Sequence, residues 1–155
     1  MTIRRTEIRD IPQIMELLKQ VESAHQKGRP DLFKKNGTKY TADELKNIIS
    51  DDKRPIFVAD DNGKIAGYGF CVFQITSEST LMCDMKTLYI DDICVDSNKR
   101  GKGVGTKIYN YIIDFAKKNG FYNVTLNVWE CNPEAKKFYE NLGLKPYKTG
   151  METIL

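Results

Sequence analysis

Hydrophobic positions in the N-terminal part of the chain recur with the period of a helix. Apolar residues spaced three or four apart predict a first helix that ends near Lys27-Gly28, with the face Ile11, Ile14, Leu17, Leu18 and Val21. Asp10 and Gln13 have the spacing of a capping box at its start. Residues 28–39 have the composition of a loop. The string Thr41-x-x-Glu44 then predicts the start of a second helix, which carries Leu45, Ile48 and Ile49.

Short apolar runs around and after these helices predict strands. They cover Ile3 to Thr6, Ile56 to Ala59, Ile65 to Ile75 and Leu88 to Val95. Between the second and third strands, Asp60-Asp61-Asn62-Gly63 is a strong hairpin signal. The pattern therefore predicts a meander of antiparallel strands after the two helices.

In the remaining third of the chain, segments with the hydrophobic period of a helix alternate with a segment that has the period of a strand. A helix over Val104 to Lys118 is predicted to bury Val104, Ile108, Tyr111, Ile112 and Phe115 and to stop at Asn119-Gly120. A strand follows, in which Val124, Leu126 and Val128 alternate with Thr125, Asn127 and Trp129. A last helix has Asn132 as N-cap, Pro133 in its first turn and Gly143 at its end. We expect Lys145 to Lys148 and Met151 to Leu155 to pair as a terminal ribbon.

This order of elements favours one α/β sandwich with a mixed central sheet over residues 1–155. A chain of 155 residues with 41% hydrophobic content can bury one core and is too short for two ordinary domains.

The turn that joins the predicted strand ending at Val95 to the helix starting at Val104 is rich in glycine and basic residues. It reads Asn98-Lys99-Arg100-Gly101-Lys102-Gly103-Val104-Gly105, with Lys107 close by. Glycines allow close backbone approach, and the first N–H groups of a helix lack intrahelical partners, so the turn predicts phosphate binding. The plain alternative is a tight connection. A Walker A string is absent, and G-x-G-x-G fits a dinucleotide fingerprint poorly, although Glu130 ends the next strand where a ribose-binding acid could lie.

Two segments carry a resemblance to a known family. The string Arg100 to Gly105 fits R-x-x-G-x-G, and the segment Asn132 to Leu144 fits N-x-x-A-x-x-F-Y-x-x-x-G-[FL]. Both resemble motifs of the GNAT superfamily of acyl-CoA N-acyltransferases, and they occur in the order that this superfamily has. The resemblance implies a three-layer α/β/α sandwich with a mixed, mostly antiparallel central sheet, over essentially the whole chain.

The resemblance also implies residues that bind acetyl-CoA. The pyrophosphate would lie on the backbone of the glycine turn, which comprises Arg100, Gly101, Lys102, Gly103, Val104, Gly105 and Thr106. Backbone N–H groups of Ile93, Cys94 and Val95 would meet the acetyl oxygen and the pantetheine arm, and Asn132 and Ala135 would lie beside that arm. Tyr139 matches the proton donor to the departing thiolate, although its helical spacing with Ala135, Phe138 and Leu142 alone favours a core tyrosine. The N-cap role alone would likewise explain Asn132.

A carboxylate is needed to deprotonate an amine acceptor, and Asp91 and Asp92 are the candidates. They resemble the Glu-Asp pair of diamine acetyltransferases, which favours Asp91 as base, Asp92 as acceptor-binding residue and a polyamine-like acceptor. Adjacent strand residues point to opposite faces unless a bulge intervenes, so at most one should face the acceptor directly. A solvated strand end or a local ion pair is the alternative for either residue.

The acceptor itself is less determined. The resemblance places its site at the first two helices, their loop and the meander, where the candidates without assigned roles are His25, Arg29, Asp31, Phe33 and Tyr40. A protein N-terminus and a lysine side chain are the alternatives to the polyamine-like small molecule that the acid pair suggests. The oligomeric state, monomer or homodimer, is also open.

Charge, cysteine spacing and hydropathy bear on which classes of partner and site are expected. With 24 Lys and Arg against 21 Asp and Glu, the net charge of +3 does not indicate a nucleic-acid platform or a membrane anchor. The four cysteines form no C-x-x-C pair and His25 is the only histidine, so no metal site is expected. No apolar stretch approaches the ~20 residues of a membrane span, and we expect a cytoplasmic protein with reduced cysteines. Cys94 could be an acyl-carrying nucleophile, but strand packing is the favoured role.

Taken together, these observations predict an N-acetyltransferase that moves the acetyl group of acetyl-CoA to a primary amine by direct attack in a ternary complex. An acyl-CoA-binding module without catalysis is the alternative, and a nucleotide-dependent oxidoreductase is a distant third.

Overall fold

The computed structural model describes residues 1–155 and contains five strands and four α-helices. In chain order they are β1 (Thr2–Arg5), α1 (Ile11–Gly28), α2 (Ala42–Ile49), β2 (Ile56–Asp61), β3 (Lys64–Thr76), β4 (Met85–Val95), α3 (Val104–Lys118), β5 (Asn123–Leu126) and α4 (Pro133–Asn141). Short 3-10 turns cover Ile8–Asp10 and Ser97–Lys99. None of the helices combines the length and the apolar character that crossing a membrane requires.

The strands form one sheet in the order β1-β2-β3-β4-β5. The first three strand pairs are antiparallel, and β5 joins the edge parallel to β4 after the crossover through α3. The mixed, mostly antiparallel sheet predicted from the resemblance is therefore confirmed.

Helices cover both faces of the sheet, which makes three layers. One core packs α1 and α2 on the sheet through residues such as Leu18, Leu45 and Tyr68. The other core packs α3 on the opposite face through residues such as Ile108 and Leu88, with Leu142 at its border. Because each face is buried by its own helices, the side of β4 on which a residue lies decides which layer it meets.

The first helix begins differently from the prediction. Asp10 makes no side-chain cap bond to α1 and instead binds Arg4, with Nη1 and Nη2 of the guanidinium 2.7 and 2.9 Å from its two carboxyl oxygens. Gln13 reaches across to the β2–β3 turn, where it accepts from the N–H of Ile65 and donates to the carbonyl of Gly63. The capping box expected for Asp10 and Gln13 is wrong because Arg4 and the N–H of Glu7 bind the carboxyl of Asp10, and the distant β2–β3 turn binds Gln13. The box at Thr41 and Glu44 is confirmed by both of its bonds.

Two details of the C-terminal third also differ. On α3, Tyr109 is buried where Tyr111 was expected, and Tyr111 lies at the border with its ring against Phe57. The strand expected to extend to Trp129 ends at Leu126, because its neighbour β4 has no pairing with it beyond Ile90.

The terminal ribbon is wrong. No strand forms after α4: the segment that follows Leu144 has no regular structure, with Met151, Ile154 and Leu155 largely exposed. Pro146 cannot donate to a ladder, which removes one bond that a ribbon would need. Glu152 instead forms an ion pair with Arg29 at the end of α1.

Candidate active site

A β-bulge in the middle of β4 brings two carboxylates to one face of the sheet. Phe70 on β3 pairs with Asp92 and the next residue, Cys71, pairs with Ile90, so Asp91 is the extra residue of β4. A bulge of this kind reverses the side-chain alternation of a strand. Ile90 therefore packs with the α3 core, whereas both carboxyls bond to residues on the α1–α2 side. The expectation that only one carboxyl faces the acceptor holds for a regular strand and is corrected by the bulge.

Beyond the bulge β4 parts from β5 and opens a cleft of about 2300 Å³. The two strands pair from Thr87 with Asn123 to Ile90 with Leu126 and no further. The N–H of Asp96 still donates to Ala66 of β3, so by strand alternation the N–H of Cys94 also faces β3. The N–H groups of Ile93 and Val95 point the other way, into the cleft. Two of the three amides predicted to meet the acyl group are thus available there, and that of Cys94 is not.

Asp92 is the carboxyl set deeper in this cleft. The hydroxyl of Tyr68 donates a hydrogen bond of 2.7 Å to its Oδ2. Burial raises the pKa of Asp92 above the ordinary carboxyl value, and the bond from Tyr68 counteracts this only in part. A carboxylate with a raised pKa is a stronger base than an ordinary solvated carboxylate, which suits it to accept a proton.

Asp91 has a different environment because its carboxylate is already paired. The hydroxyl of Tyr40 donates to Oδ2 over 2.8 Å, and Nζ of Lys39 lies 3.0 Å from the same oxygen. Burial, with the bond to Asp91 as second cause, raises the pKa of Tyr40 to about 12, so this phenol keeps its proton. The ring of Tyr40 stacks on Phe70, which in turn meets Tyr68 edge-on. One aromatic cluster thereby supports both carboxyls.

Tyr139 on α4 faces the same cleft from the opposite wall. Its side chain is half-buried, and its hydroxyl makes no hydrogen bond to the protein. Burial, followed by the nearby charge of Asp92, raises the pKa of this phenol. Tyr139 is therefore protonated at neutral pH and has a free donor directed at the cleft, which a tyrosine used only for packing would not need.

The glycine turn has the geometry predicted for anion binding. Gly101 and Gly103 have φ values of +73° and +75°, in the region that favours glycine. Gly103 is the N-cap of α3, and no side chain caps the helix, so its first N–H groups have no side-chain partner. Gly105 serves packing instead, since a Cβ there would lie 3.1 Å from Cζ of Phe138 on α4.

The basic residues of the turn differ in whether they line the cleft and in whether they have a partner. Arg100 lines the cleft, together with Gly101, Gly103, Val104, Gly105 and Thr106. Lys102 does not line the cleft, and its Nζ lies 3.4 Å from the carbonyl oxygen of Asn98. Lys99 also lines the cleft, but its ammonium is paired with Asp61 of β2. Arg100 is thus the cation of the turn that lines the cleft without an ion pair.

Three further predicted residues line the cleft with separate structural roles. Asn132 accepts a hydrogen bond from the N–H of Ala135, which is its N-cap role on α4. Cys94 is buried, and its Sγ lies 3.6 Å from the carbonyl oxygen of Leu17. Burial raises the pKa of the Cys94 thiol to about 12. A protonated, buried thiol is a poor nucleophile, which accords with the packing role expected for it.

The loop between α1 and α2 reaches across to the segment after β5. The ring of Phe33 lies between His25, at 5.1 Å, and Trp129, at 5.4 Å. Arg29 is paired with both Asp31 and Glu152. Of the acceptor-side candidates, His25, Arg29 and Phe33 line the cleft. Tyr40 binds Asp91, and Asp31 forms an ion pair with Arg29.

Two residues at this site were not singled out by the sequence. Tyr68 falls within a predicted strand. The available signal was that a tyrosine buried in a strand needs a hydrogen-bond partner for its hydroxyl, and the structure shows that Tyr68 is buried. Lys39 was placed in a loop, and its contact with Asp91 joins positions 52 residues apart, for which no local pattern exists.

Known acetyltransferases resemble this chain in sequence and in fold. The model of the Acetyltransferase (GNAT) family matches residues 14–144. Glucosamine 6-phosphate N-acetyltransferase of Arabidopsis thaliana is 31% identical over 102 residues, which are 66% of this chain and 64% of that protein. Its crystal structure superposes with a TM-score of 0.73 at 28% identity, covering 99% of this chain and 97% of the other.

A mutant of the BH1408 protein from Bacillus halodurans is more similar in structure. Its crystal structure gives a TM-score of 0.96 at 33% identity and covers 100% of this chain and 99% of that chain. By sequence, the aligned part spans less than two thirds of the length of the curated relatives, 64% for the Arabidopsis protein.

Proposed function

This chain belongs to the acetyltransferase (GNAT) family, and we propose that it transfers the acetyl group of acetyl-CoA to a primary amine by direct attack in a ternary complex. The observation that carries the proposal is the meeting of three groups in one cleft. These are the unpaired edge of β4, the carboxyl of Asp92 and the free hydroxyl of Tyr139.

The cofactor site follows from the unsatisfied main-chain donors. The first N–H groups of α3, with Gly101 and Gly103 before them, would hold the pyrophosphate, and Arg100 adds positive charge. The edge of β4 beyond the bulge would bind the pantetheine arm in the manner of an added strand, and Ala135 lies on the facing wall. Acetyl-CoA supplies a thioester whose carbonyl carbon accepts the amine. The amides of Ile93 and Val95 are the donors available to its oxygen.

Asp92 is the better base of the two carboxylates. Its raised pKa and its position beside Tyr139 suit it to take a proton from the acceptor ammonium, directly or through one water. Asp91 is neutralised by Lys39 and held by Tyr40, so it orients the acceptor end of the site. This assignment reverses the roles that the resemblance to diamine acetyltransferases favoured.

Tyr139 is the proton donor to the departing thiolate. Its phenol is protonated, faces the cleft and has no other partner, so proton transfer would break no existing hydrogen bond. Two protons leave the acceptor ammonium in a turnover. Asp92 would take the first and pass it to solvent, and the second, released from nitrogen once the C–N bond forms and the C–S bond breaks, would replace the proton that Tyr139 gives to the departing sulfur.

The test is the release of free CoA thiol from acetyl-CoA across a panel of amines, with mass spectrometry of the products. The panel includes glucosamine 6-phosphate, because the relatives named above include enzymes named for that amino sugar. We expect one acetylated amine per CoA released. Stoichiometric binding of acetyl-CoA without release for any amine would favour the non-catalytic module, and tight NAD binding without acetyl-CoA binding would overturn the assignment.

A further inference from the structure

A lysine of the chain itself lies where the acid pair would receive a cationic acceptor. Nζ of Lys39 is 3.0 Å from Oδ2 of Asp91 and 3.2 Å from its carbonyl oxygen. The same ammonium lies 5.8 Å from the ring centre of Tyr40. Lys39 and Asp91 are each partly exposed, at 31% and 21%, and both line the cleft, so the pair belongs to the wall that an acceptor would meet.

The contact leaves Asp91 with little need for an external cation. Its Oδ2 is shared by the Lys39 ammonium and the Tyr40 hydroxyl, and the lysine also holds the Asp91 carbonyl. Asp92 is then the one carboxylate of the bulge without a cationic partner, and its hydrogen-bond donor is the neutral phenol of Tyr68. One uncompensated carboxylate matches one acceptor ammonium.

We propose that Lys39 is a built-in counter-ion that restricts the acceptor to amines with a single positive charge. The inference rests on the proposed function and deepens it by naming the acceptor class as monoamines. It opposes the polyamine-like acceptor that the two adjacent carboxylates suggested on their own, because one of them is already paired within the chain.

The charges around the acceptor end support this restriction. A second ammonium on the acceptor would approach Lys39 rather than a free carboxylate, and like charges close together near a protein surface repel. Of the other acids, Asp31 and Glu152 share the guanidinium of Arg29, whereas Glu22 on α1 lines the cleft without an ion pair. Within the acid pair of the bulge, a diamine whose first charge meets Asp92 finds no unpaired carboxylate for its second charge unless it displaces Lys39 from Asp91.

The test compares matched mono- and diamines on charge variants of position 39. Lys39→Met removes the charge and keeps much of the apolar length, and Lys39→Arg keeps the charge. Lys46→Met is the matched control, because Lys46 on α2 pairs with Asp43 at the surface and does not line the cleft. Pentylamine and 1,5-diaminopentane are measured as competitive inhibitors against whichever panel amine the unaltered protein acetylates fastest.

In the unaltered protein the monoamine should bind better than the diamine. Lys39→Met should shift the ratio of the two inhibition constants toward the diamine by about tenfold or more, the scale of one lost charge interaction. Lys39→Arg and Lys46→Met should leave the ratio near its original value. An unchanged ratio in Lys39→Met, or inhibition by neither compound, would overturn the restriction while acetyl transfer to the panel amine still stands. Absence of transfer to every panel amine would instead remove the proposed function.

Discussion

The hydroxyl of Tyr68 on β3 lies 2.7 Å from Oδ2 of Asp92 on β4 and donates a hydrogen bond to this carboxyl. The partners stand on paired strands, since Tyr68 is opposite Cys94 and Phe70 is opposite Asp92. Tyr68 is fully buried, so the donor is fixed in place. The bond stabilises the charged form of Asp92 and so limits the rise in pKa that burial causes.

Replacing Tyr68 by Phe should therefore move the acid limb of the activity profile. Without the donor, the pKa of Asp92 rises further, so the fall of kcat/KM on the acid side should begin at a higher pH. The measurement is kcat/KM for the amine over a pH series at saturating acetyl-CoA. Tyr111→Phe is the control, because Tyr111 lies at the border of α3 and does not line the cleft. An acid limb that does not move would separate Tyr68 from the titration of the base.

The same raised pKa has a consequence for folding. A carboxyl whose pKa is higher in the folded state binds more protons there than in the unfolded chain. Between the two pKa values, its contribution to the free energy of unfolding therefore decreases as the pH rises. The burial that raises the pKa of Asp92, and so suits it to act as a base, therefore lowers the free energy of unfolding at a pH above its unfolded pKa.

Asp92→Asn and Asp91→Asn should differ in their effect on the chemical step. An amide at position 92 cannot accept the proton, so kcat should fall by ~10² or more, the usual scale of general base catalysis. An amide at position 91 loosens Lys39 and should act mainly on the KM of the acceptor. Steady-state rates for both variants with one amine decide between them. A larger loss of kcat in Asp91→Asn would restore the roles that the sequence favoured.

Gly103→Ala should weaken acetyl-CoA binding more than it weakens the fold. Gly103 has a φ of +75° with open space around its Cα, so the added methyl group strains the backbone and projects where a phosphate would approach. Gly120→Ala is a matched control, since Gly120 has a φ of +68°, equally open surroundings and a place at the far end of α3.

Calorimetric titration with acetyl-CoA and thermal unfolding, made on both glycine variants, complete this comparison. We expect a similar loss of stability in the two and a loss of affinity in Gly103→Ala alone. Equal affinities would place the phosphate site elsewhere than the glycine turn.

Local patterns in the sequence predicted the parts of the site that local geometry determines. The glycine turn, the span Val104–Lys118 of α3 and the N-cap of α4 at Asn132 each depend on a few neighbouring residues, and all agree with the structure. The resemblance to the family then assigned roles to these segments that spacing alone could not give.

The remaining features depend on contacts between distant positions. The bulge at Asp91 adds one residue to β4, and the period of the strand does not record which residue is extra. The pairing of Lys39 with Asp91 and that of Arg4 with Asp60 likewise arise only when the sheet forms. For that reason the orientation of the acid pair and the true start of α1 required the structure.

The Arg4–Asp10 ion pair should make the free energy of unfolding depend on pH. Burial alone raises the pKa of Asp10, but the bonds from Arg4 and from the N–H of Glu7 bring it below the ordinary carboxyl value. A lowered pKa contributes stability above the unfolded value that is lost as the pH falls through the folded value. Asp10→Asn should cost about 2 kcal/mol near neutral pH, because the charged hydrogen bonds from Arg4 are lost while Arg4 keeps Asp60 as a partner.

Denaturant unfolding at about pH 7 and again at about pH 3 measures this dependence. The difference in the free energy of unfolding between Asp10→Asn and the unaltered protein should shrink at the lower pH. Asp43→Asn, which alters an exposed pair with Lys46, should be near neutral at both. A difference that stays constant with pH would mean that the charge of Asp10 does not stabilise the fold.

Tyr139→Phe is the most direct test of acetyl transfer at the centre formed by Asp92 and Tyr139. It removes a hydroxyl that makes no hydrogen bond to the protein and keeps the ring that packs on Phe138 at 5.1 Å. The measurement is kcat for CoA release together with thermal stability and acetyl-CoA affinity, all on one preparation. We expect kcat to fall by ~10² or more, with stability and affinity nearly unchanged. Full turnover, with or without a loss of stability, would contradict the role of Tyr139 as proton donor and remove it from the mechanism.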